Sequence, residues 1–383
     1  MISQKYKNTE VGIIPEDWEV KRLSELGKFS KGSGVRKDEA LSGDIPCVRY
    51  GELYTRHSDY IKQFYSFISK DISETAKKLK AGDILFAGSG ETKEEIGKSV
   101  AFIDDFEAYA GGDIVILSPI NTQSLYLGYL LNAPFIQKQK ANRGQGDAVV
   151  HISATQLGNV SIPLPPTKAE QTAIATALSD ADALISSLEK IIAKKRNIKR
   201  GAMQKLLQPK EGWEVKKLGE VCENIGSGKS KTQSKEGKFP IFGSTGIIGW
   251  SSTSDYFGHK ILVARVGANA GTVNIVDGNY CVSDNTLIVS LNPEIDLNFI
   301  YSFLILFQLN KLVFGSGQPL ITGGQLKNIE ISIPKSKSEQ THIANILSDV
   351  DNEITTLETK LEKYRKVKLG MMQNLLTGKI RLV

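Results

Sequence analysis

Cysteine and histidine are scarce in this chain: three of the first and four of the second among 383 residues. Cys47, Cys222 and Cys281 stand far apart, with no Cys-x-x-Cys and no histidine clustered near them, which argues against a disulfide framework and a structural zinc site. A reducing cytoplasm is the expected location, since the polar start Met1-Ile-Ser-Gln-Lys lacks the apolar core of a signal peptide. Long apolar runs are missing too. The longest, residues 299–309, contains Ser302 and Gln308, is too short to span a bilayer and reads as a buried helix. Charge of one sign is weak: a net +6 permits an anionic partner without requiring one.

Catalytic motifs fail on spacing. Gly97-Lys98-Ser99 and Gly228-Lys229-Ser230 imitate the end of a phosphate-binding loop. That loop needs a glycine five positions before its last one, where Thr92 and Glu223 stand. Asn132-Ala-Pro-Phe135 carries Ala133 where an amino-methyltransferase tetrapeptide has proline, and Phe314-Gly-Ser-Gly317 follows a helical pattern, not a strand. His57, His151, His259 and His342 have no Ser, Cys or carboxylate at a motif spacing. The chain reads as a binding protein with no catalytic residue and no metal site of its own.

What it does contain is a long helix, twice. Residues 167–208 open with a capping box, Thr167 and Glu170, behind Pro163, Pro165 and Pro166. Apolar residues then alternate at spacings of four and three: Ile174, Leu178, Ala181, Ile185, Leu188 and Ile192. This is a heptad seam, and a helix of roughly 60 Å with such a seam needs a partner. Aligning Glu339 on Glu170 sets an offset of 169 (339 − 170), which holds without a gap from Gln156/Gln325 to Leu207/Leu376. The repeat carries a second box, Ser336 and Glu339, and a second seam of Ile343, Leu347, Val350, Ile354, Leu357 and Leu361, continued by Tyr364, Lys368, Met371 and Leu375. Two helices sharing one heptad frame predict an intramolecular coiled coil.

The duplication extends into the intervening sequence. Trp18-Glu-Val-Lys is answered by Trp213-Glu-Val-Lys, Gly32-Ser-Gly34 by Gly226-Ser-Gly228, and three short β-type runs in each half correspond. Each half then has a helical stretch (residues 125–140 and 297–313) and a second glycine-rich loop (residues 143–147 and 315–319). The fold class is therefore α+β: two similar mixed α/β globules alternating with two long helices, divided as residues 1–166, 167–208, 209–335 and 336–383. Loop residues suited to base edges are Arg49, Arg143 and Gln145 in the first half, and Arg265, Asn269, Asn285 and Gln318 in the second. Arginine matches guanine O6/N7, and Asn or Gln matches adenine N6/N7, by bidentate geometry. Simple solvation of these loops, in a scaffold whose duplicated globules bind protein partners, is the competing reading; steep salt dependence of DNA binding separates the two.

The layout resembles the specificity subunit of type I restriction–modification systems over essentially the whole length. The resemblance rests on the Trp-Glu-Val entry to each globule, the helix motifs Glu-Gln-Thr-x-Ile-Ala and Met-Gln-x-Leu-Leu, and the ending Leu-Leu-Thr-Gly-Lys-Ile-Arg-Leu382. It implies two target-recognition domains, each reading half of a bipartite site on double-stranded DNA, held apart by an antiparallel coiled coil. It also implies a non-catalytic subunit that docks two modification (methyltransferase) subunits, with restriction subunits joining them. S-adenosylmethionine, ATP and magnesium would bind those partners and no cofactor this chain.

Because the two seams nearly match, either one should accept a copy of itself in a closed, two-fold pairing. A fragment of residues 1–208 is expected to dimerise through Ile174, Leu178, Ile185, Leu188 and Ile192, loosened by Lys195 and Lys199 at seam positions. A strictly monomeric fragment at micromolar concentration in analytical ultracentrifugation would sink this self-pairing.

Overall fold

The computed structural model describes residues 5–146, 148–230, 236–314 and 319–382. Packing divides the chain into two compact units, residues 1–187 with 361–383, and residues 188–360. Each unit is thus one globule plus a segment of both long helices, a grouping that the four-part linear division does not display. The helices are Lys168–Leu206, here called the central helix, and Lys337–Leu375, the distal helix, each of 39 residues.

The first unit is built on an antiparallel sheet in the order Ser99–Ala101, Ile84–Ala87, Ile114–Pro119, Gly27–Lys31. A second sheet runs Ser66–Ile68, Ile45–Val48, Tyr109–Ala110, Lys77–Lys78, with its middle pair parallel. The second unit repeats both sheets. Val273–Val276, Lys260–Ala264, Thr286–Leu291 and Cys222–Ser227 form the antiparallel one. Gly246–Ser251, Phe239–Gly243, Asn279–Val282 and Tyr256–Phe257 form the other, again with a parallel middle pair. In both units the strand after the tryptophan (Glu19–Arg22; Glu214–Lys217) pairs antiparallel with the strand ahead of the long helix (Ser161–Leu164; Glu330–Ile333). The three corresponding β-runs of the sequence occupy equivalent strands.

The helical stretches are shorter than their apolar patterns suggest. Residues 125–140 break into Ser124–Leu130 and Pro134–Ala141, because Pro134 has no amide to continue the first helix and suits the opening turn of the second. Residues 297–313 stop at Phe307, where Gln308 turns left-handed (φ 61°). Phe299, Ile300 and Leu304 are buried there, as a core helix requires. Among the described residues no helix is long and apolar enough to cross a membrane.

The helices pair antiparallel within each unit. In the first, Ile174 and Leu178 share a core with Leu375 and Leu376; in the second, Met203 and Leu207 share one with Ile343 and Leu347. Leu188, Ile192, Ile354 and Leu361 are buried, and Ile185, Val350 and Leu357 half-buried. The lysines at seam positions are not idle. Lys199 Nζ lies 2.6 Å from Asp351, and Lys195 pairs with Glu353. The first unit has the counterpart of the former pair: Lys368 Nζ is 2.7 Å from Asp182 and 3.2 Å from Asp59, over the face of Tyr129. In a self-paired fragment Asp182 stands where Asp351 does, so Lys199 keeps a carboxylate.

The capping boxes depart from expectation. Thr167 Oγ1 accepts from the Glu170 amide at 3.2 Å, but the Glu170 carboxylate, fully buried, instead takes the Arg381 guanidinium. Arg381 also binds Asp17 at 3.0 Å and lies over the buried Trp18 ring. In the second unit Glu339 accepts from the Trp213 indole at 3.1 Å, and Trp213, half-buried, meets Phe299 edge-on. A tertiary partner has outcompeted the local backbone in both.

Lys140 is fully buried, and its Nζ donates to the Gly97 carbonyl at 2.6 Å. Burial, and after it the Lys98 charge, hold its pKa well below the 10.5 of a free lysine. The folded state disfavours that proton while the unfolded chain binds it up to pH 10.5, so this position grows more favourable to folding as pH rises toward 10.5. Wild-type stability relative to Lys140→Met should therefore climb above neutral pH, by up to about 1.4 kcal/mol per pH unit within that window. Urea unfolding of the whole chain at several pH values checks this, and a flat difference contradicts it.

Candidate nucleic-acid interface

In the first unit, the loops following Gly27–Lys31 and Tyr109–Ala110 and the short helix Tyr50–Thr55 border a cavity of about 650 Å³. Lys37, Arg49 and Arg56 line it with Tyr50 and Tyr65. Two non-glycine residues on its wall are left-handed, Val35 (φ 57°) and Asp113 (φ 61°). For a β-branched residue that is a strained conformation, and such strain persists where the surroundings over-determine it, often at functional positions. Arg49 Nε donates to Ser66 Oγ at 3.2 Å and lies 3.5 Å from Glu52, which Ser66 also binds. Arg56 is exposed, its guanidinium carbon over the Tyr65 ring at 5.2 Å from the ring centre.

Asp113 also lines a second cavity of about 760 Å³, with Lys31, Gln145 and His151. Gln145 is exposed. Arg143, two residues earlier, is engaged elsewhere: Nη1 donates to the Gln139 carbonyl at 2.8 Å and Nη2 to the Asn159 carbonyl at 2.9 Å. Its guanidinium ties the loop to the backbone at Gln139 and Asn159. His151 acquires a partner that linear spacing does not announce, Ser89 Oγ at 2.9 Å from Nδ1, because the two residues face each other across a strand pair. Burial pushes the Cys47 and Cys222 thiols up to about 12, leaving them protonated and unreactive at neutral pH.

In the second unit Arg265 and Asn285 come together, the Arg265 amide donating to the Asn285 carbonyl at 2.9 Å. Arg265 Nη1 reaches Ser227 Oγ (3.2 Å) and the Asp284 carbonyl (3.4 Å), while its Nε is buried without a protein partner among the described residues. Its partners are a hydroxyl and a carbonyl, so no carboxylate neutralises it in these contacts. Asn269 is exposed in a turn, its carbonyl accepting from the Thr272 amide. Gln318 lies outside the described residues. Ser227 borders a cavity of about 740 Å³ with Lys229, Tyr256, Phe257 and Lys260.

The side chains missed by sequence reasoning are instructive. Lys37 and its neighbour Arg36 stand one residue past the first glycine turn, a basic pair that is a usable signal. Tyr65, His151 and Phe257 carry none: strand pairing brings the last two to the cavities, and Tyr65 arrives there as the residue ahead of the strand Ser66–Ile68.

Comparison with known proteins agrees with this architecture. Residues 15–198 and 210–364 each match the family described as "Type I restriction modification DNA specificity domain". The putative type I restriction enzyme MjaX specificity subunit of Methanocaldococcus jannaschii is 29% identical, over 99% of this chain and 97% of its own. The MjaVIII specificity subunit of the same organism is also 29% identical, over 96% of this chain and 94% of its own. Among solved structures, the type I restriction-modification S subunit from M. genitalium superposes with a TM-score of 0.66 at 18% identity, covering 98% of this chain and 99% of that one, a likeness of fold. With two such domains in tandem, each carrying the same pair of sheets, the chain belongs to the type I restriction–modification DNA specificity family.

Proposed function

We propose that the chain is the DNA-recognising specificity subunit of a type I restriction–modification complex, each unit reading one half of a bipartite site. The observation that carries this is the repetition of one sheet topology with different loop chemistry on it. That arrangement suits two readers of two targets, and the linked pair gains affinity through effective concentration. The basic and aromatic lining of the first unit's cavity supports it, phosphate contacts fixing register and polar loop residues reading base edges. The helix pair sets the spacing between half-sites and docks two methyltransferase subunits, with restriction subunits joining them. S-adenosylmethionine, ATP and magnesium belong to those partners; this chain contributes no catalytic group. One solved structure that covers 96% of this chain, at a TM-score of 0.55, was determined in work on assembly and conformational transition of the type I system.

Sequencing methylated positions in DNA from cells that make this chain with its modification subunit tests the reading. A methylated bipartite sequence is expected, and exchanging residues 212–333 for those of another family member should change one half only. Loss of both halves in a folded chimaera counts against independent readers. Arg56→Ala should weaken the first half-site and Arg265→Ala the second, by about 1–3 kcal/mol for a guanidinium on a base edge. A loss that is uniform across site variants and vanishes at low salt places the contact on phosphate.

A further inference from the structure

Both units carry the same small backbone device beside these loops, with opposite chemistry on it. In the first, Gln145 and His151 form an antiparallel bridge, their amides donating to each other's carbonyls at 2.9 and 2.8 Å, and His151 pairs onward with Ser89. In the second, Phe314 and Leu320 form that bridge at 3.3 and 3.1 Å, and Leu320 pairs onward with Val266. Both bridge positions obey the offset of 169 that relates the long helices. The support is the same too: Gln156 Nε2 donates to the Arg143 carbonyl at 2.7 Å, and Gln325 Nε2 to the Leu312 carbonyl at 2.8 Å.

On this common frame the first unit presents a carboxamide and an imidazole that Ser89 orients, beside Lys31. The second presents Phe314, 51% exposed, and the half-buried Leu320. Backbone bonds and a capping glutamine hold the bridge, so folding does not need an aromatic ring there, and leaving it in water is unfavourable. The Ile321 amide donates to the Arg265 carbonyl at 2.8 Å, so the apolar bridge adjoins the backbone of Arg265, whose guanidinium has no carboxylate among the contacts above. An exposed apolar tip in a basic protein suits a duplex, whose major groove offers one apolar group, the C5-methyl of thymine.

We propose that this bridge is a base-reading edge in both units: Gln145 and His151 read the first half-site by hydrogen bonds, and Phe314 with Leu320 reads a thymine methyl in the second. The proposal rests on the DNA-reading function above. The complex of full chain and modification subunit, with half-sites known from the methylated sequence and assigned by the domain exchange, is titrated with synthetic duplexes. In these each thymine of either half-site is replaced in turn by uracil, which lacks only the methyl group. One uracil in the second half-site should weaken binding about three- to fivefold, the effect of one buried methyl. Phe314→Ser should bind the two duplexes alike, and Phe314→Leu should still tell them apart. Equal binding of thymine and uracil duplexes by a wild-type complex that remains sequence-specific overturns this inference alone, as does discrimination retained by Phe314→Ser. Binding without sequence preference overturns the DNA-reading function and this inference with it.

Discussion

A heptad stripe running the length of a 39-residue helix is too long for a single globule to cover, and this constraint organises the molecule. The central and distal helices carry the same stripe and bury it against each other in antiparallel sense, so that each unit's core takes the start of one helix and the end of the other. Ile174 and Leu178 meet Leu375 and Leu376 in the first unit; Ile343 and Leu347 meet Met203 and Leu207 in the second. The hydrophobic core of each unit is thus assembled from helix residues more than a hundred positions apart.

Electrostatics then distinguishes the units. Lys199 finds Asp351 on the facing helix, while its repeat counterpart Lys368 finds both Asp182 on the helix and Asp59 on the globule. Exposed pairs such as Arg196 with Glu358 contribute little individually. The Asp59–Lys368–Asp182 group is mostly shielded from water, where removing one member strands the others and costs several kcal/mol. Arg381 plays a similar part between buried Glu170 and Asp17, fastening the last residues of the distal helix region to the entry of the first globule.

The two globules show how one frame carries different side chains. Strand order, the parallel pair in the second sheet and the glutamine that supports the second loop are all shared. What changes is the side chains at the ends of the frame: arginines and tyrosines around one cavity, lysines with Tyr256 and Phe257 around the other, and Phe314 exposed where the first unit has Gln145. Backbone hydrogen bonding specifies the frame without regard to the side chains it displays, which leaves those free to differ.

The sequence by itself determined the repeat, the heptad frame, the ends of the long helices and the corresponding strands, because each of these is a pattern of local spacing and turn chemistry. It also carried enough of the family's motifs to announce the layout. Tertiary structure decided the partners. Glu170 and Glu339 are capping residues by spacing, yet bind Arg381 and Trp213. Arg143, by composition a base reader, holds two carbonyls, whereas Arg56 and His151 stand at cavities that no spacing rule pointed to. The reason is that a heptad or a capping box is satisfied within a few residues, while a charged or polar side chain takes the best partner that folding brings near, and for Glu170 that partner is 211 residues away.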